Sequence, residues 1–420
     1  MSRRWRSSPA LFTALCMPLL AHATNGYFSE GYGAKSQGQA GVAVAWGQDS
    51  LASASNPAAL ADVGERVDLG LTWFVPSRSS AIVGNQFGND ASYSGNATRN
   101  FFLPEFGYSR PISDAVTAGI AVYGNGGLDT DYASNPYARF GATGHAGVGL
   151  EQLFITPAAS WKASATQRFG VALNIAYQRF SAKGLGVFSA FSSDPGHVSD
   201  QGNDSSVGTG LRLGWSGELA PGWTLGASWA SKISGRFSRY RGLFADAGSF
   251  DVPENYALGL KFAPAEDWTF GADLQKIRYS RVAAVGDSIR GLLQGTPLGA
   301  SGGPGFGWRD VTVLKLALSH AVSPDLVLRA GFSHGRQPVP AGETFFNILA
   351  PGVVENHATV GATWRHGGGE WTGYLAYAPG KAVNGANSIP PGNPPGGFGG
   401  GNANVTLKET SVGLSYAWRS

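Results

Sequence analysis

The spacing in this 420-residue chain closest to a catalytic motif is Gly331-Phe332-Ser333-His334-Gly335, a Gly-x-Ser-x-Gly pattern. Such a serine becomes a nucleophile when it tops a sharp strand-to-helix turn beside a base. Here it ends an alternating apolar segment and the chain runs on to Pro338 and Pro340. No helix can follow directly, so hydrolase chemistry is not expected. The six histidines beyond residue 23 are scattered, with no His-x-x-x-His pair to hold zinc on one helical face. What remains is charge and aromaticity. Arg212, Lys261, Lys315, Arg329 and Asp273 all fall on the polar side of alternating segments. A partly buried cation can hold a ligand carboxylate by a charge-assisted hydrogen bond. It can equally brace a polar barrel interior. Phe188 and Phe191, and then Phe237, Tyr240 and Phe244, recur at the spacing of one helical face. Each ring is worth roughly 1.5–3 kcal/mol when buried. They suit either capture of an apolar molecule or packing of one loop on another.

The elements that must position these residues begin after a secretory signal. Arg3, Arg4 and Arg6 precede an apolar core over residues 9–20, and Ala21-His22-Ala23 is a small-x-small cleavage site. Residues 1–23 are therefore read as signal, with Thr24 the mature start. Cys16 follows Leu15, where a lipoprotein signal wants a small residue. Cleavage removes three arginines and no acid, which takes 31 basic residues to 28 against 28 acids. A neutral mature chain gives no footprint for nucleic acid. It also loses the only cysteine, so disulfides and thiolate metal sites are excluded, and no cofactor is expected. Glycine is abundant, without the collagen period, and aromatics are frequent. No later stretch has about 20 consecutive apolar residues, so a membrane-spanning helix is not expected.

Alternation argues for a transmembrane barrel instead. Phe169, Val171, Leu173, Ile175 and Tyr177 face one way; Gly170, Ala172, Asn174 and Ala176 face the other. Val67, Leu69, Leu71 and Trp73 open the pattern, and Val412, Leu414, Tyr416 and Trp418 end it. Trp73, Tyr177, Trp215, Trp223, Trp268 and Trp418 lie near segment ends, where membrane girdles lie. The fold class is all-β: an antiparallel barrel of about fourteen strands. Their centres are near Leu71, Phe106, Ile120, Ile155, Leu173, Leu211, Ala227, Leu258, Ala272, Leu314, Leu328, Val360, Leu375 and Leu414. Short connections near 110–114, 162–168, 217–222, 263–267, 319–325 and 366–370 alternate with long ones. The long ones lie near 76–98, 124–149, 181–206, 231–251, 280–307, 335–355 and 379–408. Short periplasmic turns and long extracellular loops give that rhythm. The barrel spans 67–420, and residues 24–66, rich in Gly, Ala and Ser, form a leader or a plug inside it. Residues 390–401 read as a flexible Pro/Gly surface run. Gly124-Asn125-Gly126-Gly127 closes the third strand with residues typical of bulges. In Asn56-Pro57-Ala58, proline fixes a turn and asparagine can bond backbone groups.

The chain resembles the FadL/TodX family of outer-membrane transporters for long-chain fatty acids and hydrocarbons. The resemblance is carried by Gly26-Tyr27-Phe28, Gly31-Tyr32-Gly33, Gly38-Gln39-Ala40-Gly41 and Ser55-Asn56-Pro57-Ala58-Ala59. It continues through Leu103-Pro104-Glu105-Phe106-Gly107-Tyr108, Pro111-Ile112-Ser113-Asp114, Tyr123-Gly124-Asn125-Gly126-Gly127-Leu128 and Thr130-Asp131-Tyr132. Gln152-Leu153-Phe154-Ile155-Thr156-Pro157 and Ala176-Tyr177-Gln178-Arg179-Phe180 complete it. It implies a fourteen-stranded barrel whose N-terminal hatch carries Asn56-Pro57-Ala58. It also implies a hydrophobic ligand that lands among the loops and leaves sideways where Gly124–Gly127 kink the third strand. One departure is the end, where Trp418 is followed by Arg419 and Ser420. The expectation is an outer-membrane monomer, not an enzyme, in contact with lipid and lipopolysaccharide. The luminal cations tilt its ligand toward fatty acids. Hydrocarbon uptake is the first alternative and a porin or structural barrel the second.

Overall fold

The computed structural model describes residues 25–393 and 396–419; the signal expected over residues 1–23 lies outside them. Fifteen strands form one antiparallel sheet. They are β1 (Arg66–Val83), β2 (Ala91–Ser94), β3 (Phe101–Pro111), β4 (Val116–Tyr132), β5 (Ala146–Lys162), β6 (Gln167–Lys183), β7 (Asp204–Ala220) and β8 (Trp223–Ala230). Then come β9 (Asn255–Phe262), β10 (Trp268–Ile277), β11 (Val311–Ser323), β12 (Leu326–Gly335), β13 (Asn356–His366), β14 (Gly369–Val383) and β15 (Asn402–Arg419). β1 pairs with β15 from Arg66/Arg419 to Val83/Asn402, which closes the sheet. β2 pairs only with the far end of β1. The wall is therefore a fourteen-stranded barrel, and each expected centre falls in its own strand. The connections alternate as expected: two to five residues on one side, 13 to 33 on the other.

Closure lets neighbouring strands satisfy one another's backbone without water, the condition for crossing lipid. Leu69, Leu71, Leu173, Leu258, Leu314 and Leu414 are exposed on the outer face, where a soluble protein would not leave them. The short-turn end carries an aromatic girdle. Trp223 stacks on Phe262 at 4.0 Å, and Trp371 and Trp418 each lie 4.6 Å from Tyr416. Several strands run further than their alternation suggested. β4 continues to Tyr132, β6 to Lys183 and β14 to Val383, because neighbouring strands there keep pairing above the apolar band.

The segment before β1 lies inside the barrel. Most of residues 25–65 are buried, polar ones included. Its backbone groups find partners in the wall: Ala43 and Val44 N–H donate to the Asp273 carboxylate at 2.8 and 3.0 Å. Ala40 N–H donates to Thr359 Oγ1 at 2.8 Å. Wall glycines permit the close approach. A Cβ at Gly331 would collide with the Gln39–Ala40 backbone, and one at Gly170 with Pro57 and Ala58. Gly331 thus belongs to packing and not to a nucleophile turn.

Candidate ligand path

The loop aromatics converge, but not on a regular helix. Phe188 and Phe191 sit on one 3-10 turn, Gly186–Phe191. Tyr240 ends another, Ser238–Tyr240, and the turn after Phe244 contains left-handed Asp246 and Ala247, φ 53° and 56°. The expected continuous helix is broken because the N–H groups of Asp246 and Ala247 bond to Ala300 and Gly299 carbonyls of another loop. The rings of Phe237, Tyr240 and Phe244 still close around Phe180 of β6, at 5.3, 4.9 and 4.8 Å. Between the loops lies a cavity of about 450 Å³ lined by Phe180, Phe188, Phe244, Leu298, Phe306, Leu349 and other side chains, none of them charged. Phe188 and Phe244 line it directly. Phe237 and Tyr240 pack behind it, fully buried, and Phe191 leans on Phe398 at 4.9 Å. The Pro/Gly run expected as flexible surface instead buries Ile389 and Phe398, so an apolar core forms around it.

Below the loops, the expected inward charges do point inward. Lys315 donates to the Glu30 carbonyl at 2.5 Å. Arg329 donates to Gln48 Oε1 at 3.3 Å and Thr363 Oγ1 at 2.6 Å. Arg212 donates to the Ser55 carbonyl at 3.2 Å, but its buried Nε has no partner. Arg212, Lys315 and Asp273 border a second, polar cavity of about 450 Å³ between the N-terminal segment and the wall. Lys261 lies nearer the short-turn end, half-buried, on the luminal side of β9. Three of the four cations therefore already hold the segment before β1 or its neighbours.

Asn56 anchors that segment. Its Oδ1 accepts from Ala58 N–H at 3.0 Å, and its Nδ2 donates to the Val44 and Trp215 carbonyls at 2.7 and 2.9 Å. Pro57 starts the turn that follows, Pro57–Asp62, where its missing N–H costs nothing. Further anchors were not singled out from sequence. Lys35 pairs with Glu370, which also takes Arg66 at 3.0 Å. Burial and the nearby Arg66 bring the Lys35 ammonium down to about 8. Burial, then Asp68, pushes the Asp49 carboxyl up to about 6. His357 lies 3.4 Å from Glu30 and 3.7 Å from Glu409, with Ser333 Oγ 3.2 Å from its Nδ1. Glu370, His357 and Glu409 are buried on the luminal side of the wall. Lys35 and Glu30 among their partners come from a segment without periodicity, so those pairings could not be read from sequence.

Gly124–Gly127 lie within the third wall strand and not at its end, at a bulge of the kind their residue types suggested. The β4–β5 register shifts between Gly124 and Gly126, leaving Asn125 as the extra residue of a bulge. The strand resumes because Gly126 to Tyr132 keep their partners on β5. On the other side, β4 pairs with β3 only from Val122/Phe106 to Thr117/Pro111. Above this, Phe101–Glu105 pair with β1 alone. The wall thus parts between the upper halves of β3 and β4. Behind the parting lies a cavity of about 300 Å³ bordered by Phe74, Phe101, Leu128 and Leu407 and by the charged Arg78, Asp129 and Glu409. The N-terminal segment docks on the bulge. Ser29 N–H donates to the Asn125 carbonyl and Gly127 N–H to the Tyr27 carbonyl, both at 2.9 Å.

A barrel with an internal segment, an apolar loop cavity and a parted wall is a transport architecture. Residues 21–241 match the family model described as outer membrane protein transport protein (OMPP1/FadL/TodX). The chain belongs to that family. This OMPP1/FadL/TodX barrel is accordingly an outer-membrane transport protein and not an enzyme. Its fold matches a FadL homologue from Pseudomonas aeruginosa at TM-score 0.71 and 16% identity, over 94% of this chain and 99% of the other. It matches the toluene transporter TodX of Pseudomonas putida at 0.66 and 18%, over 93% and 99%. The toluene transporter TbuX of Ralstonia pickettii follows at 0.62 and 16%, over 93% and 98%. At such identities the likeness speaks for the fold alone. No curated protein matches the sequence.

Proposed function

We propose that this protein takes up small uncharged hydrophobic compounds, such as monoaromatic hydrocarbons, from outside the cell. The observation that carries this is the loop cavity, walled by apolar side chains only. Capture there needs no partner for a ligand charge and draws on the hydrophobic effect alone. Residues 25–65 act as a hatch. The ligand passes from the cavity into the lumen as the hatch shifts, then leaves through the parting between β3 and β4 into the membrane interior. Transport runs downhill without nucleotide or redox cofactor. One closed chain suffices, surrounded by outer-membrane lipid and lipopolysaccharide.

One observation favours long-chain fatty acids instead. The unpartnered Arg212 Nε and Lys315 border the polar cavity, where a carboxylate could be held. Uptake of labelled toluene and oleate, by cells lacking their own transporters with and without this protein, separates the two. Toluene uptake is the expected gain. Oleate uptake alone would move the assignment to fatty acids. Gain of neither, with the barrel assembled, would leave a porin or a structural barrel.

A further inference from the structure

We propose that Tyr279, carried by the long loop over residues 278–310, is the clasp that keeps the hatch tip shut against the wall parting. The side chain is fully buried. Its hydroxyl accepts from Tyr27 N–H at 3.1 Å and Phe28 N–H at 3.3 Å, and donates to the Asn25 carbonyl at 2.5 Å. One oxygen thus holds three main-chain groups of a tight turn, Asn25–Phe28, closed by its own Asn25 N–H to Phe28 O bond of 3.0 Å. The buried Tyr27 N–H has this hydroxyl as its acceptor, and buried N–H groups without an acceptor are strongly disfavoured, so the hydroxyl bears on whether this turn is stable where it lies.

The same turn blocks the path. Tyr27 accepts from Gly127 N–H, and Phe28 bridges to Gly126, both in the bulge beside the parting. The clasp also reaches the ligand surface. The Tyr279 ring lies 5.1 Å from Tyr27 and 5.2 Å from Trp308. Trp308 Nε1 donates to Asn347 Oδ1 at 2.5 Å, and Asn347 Nδ2 donates to the Phe306 carbonyl at 2.7 Å. Phe306, with Ala284 and Leu298 of the same loop, lines the apolar cavity. A molecule entering the cavity presses on the loop that holds the clasp, and the clasp holds the tip that covers the exit. This rests on the transport function proposed above.

Tyr279→Phe keeps the ring and removes only the hydroxyl. In full-length protein in lipid vesicles, two readouts test it: amide exchange at Tyr27, and entry of an apolar naphthylamine dye. Exchange should quicken by about ten- to hundredfold, the scale of losing several buried hydrogen bonds. Dye entry at saturation should rise several-fold, with the half-saturating concentration unchanged. A role in packing alone would move neither. Unchanged exchange overturns the clasp, and faster exchange with unchanged dye entry overturns its gating role. Dye excluded by wild type and variant alike would sink the transport reading and the gating with it, while the exchange result would still decide the clasp. Should Tyr279→Phe fail to assemble, Trp308→Phe loosens the support behind the hydroxyl and must shift both readouts the same way.

Discussion

Several buried polar side chains in the lumen meet the N-terminal segment through specific atoms, and those atoms make predictions. Asn56→Ala removes one turn-capping acceptor and strips partners from the Val44 and Trp215 carbonyls. It should weaken hatch docking by about 1–3 kcal/mol while the barrel assembles normally, seen as faster exchange over residues 44–60. Asp49 gives a pH-dependent case. Its folded value, about 6, lies above the ordinary 3.8, so its contribution to docking is full below about 4 and is lost as pH rises through 6. Asp49→Asn keeps the acceptor for Leu51 N–H. It should therefore tighten docking at pH 7 by about 1–3 kcal/mol and change nothing at pH 4, measured by exchange corrected for intrinsic rates. Lys315→Met and Arg329→Met should shift toluene and oleate uptake in the same direction, upward as for Tyr279→Phe, because both cations hold the hatch and its neighbours. A loss confined to oleate would assign them to the ligand carboxylate. Sequence alternation correctly turned Arg212, Lys315, Arg329 and Asp273 inward. It could not name their partners, which are mostly carbonyls and amides of a segment whose sequence has neither helical nor strand period.

Elements were legible where the membrane imposes a period and illegible where loops pack on loops. The strand centres follow from alternation because one face must meet lipid and the other the lumen. Phe237, Tyr240 and Phe244 share a side as a helical reading expects, but short 3-10 and left-handed turns hold them there. The bonds that set those turns come from residues 299 and 300, far away in sequence. Phe244 lines the cavity, so Phe244→Ala should raise the half-saturating ligand concentration by roughly tenfold, the loss of about one ring's burial, with little change in maximal rate. The glycine run was legible as a bulge but not as mid-strand, because the partner strand that keeps β4 going beyond it is β5 and not its hairpin neighbour β3. Gly126 has no room for a side chain against the Tyr27 carbonyl. Gly126→Val should displace the hatch tip and alter uptake while leaving heat-modifiable gel migration, the sign of a closed barrel, intact.

For the whole molecule, strand number, strand order and loop side were readable because a barrel allows few solutions: neighbours in sequence are neighbours in the wall. What sequence could not show is how the interior is filled. Two separate cavities of about 450 Å³, one apolar and one polar, and a third behind the parted wall arise from contacts between residues hundreds of positions apart. The proposed route for apolar molecules turns sideways before reaching the periplasm, because residues 25–65 occupy the axis of the barrel. The claim is that no water-filled pore is needed or present during transport. The most direct measurement is swelling of vesicles carrying the protein in a small neutral sugar, beside toluene uptake by the same preparation. The account predicts toluene uptake well above empty vesicles and sugar entry no faster than in them. Sugar entry at the rate of a diffusion porin would contradict it.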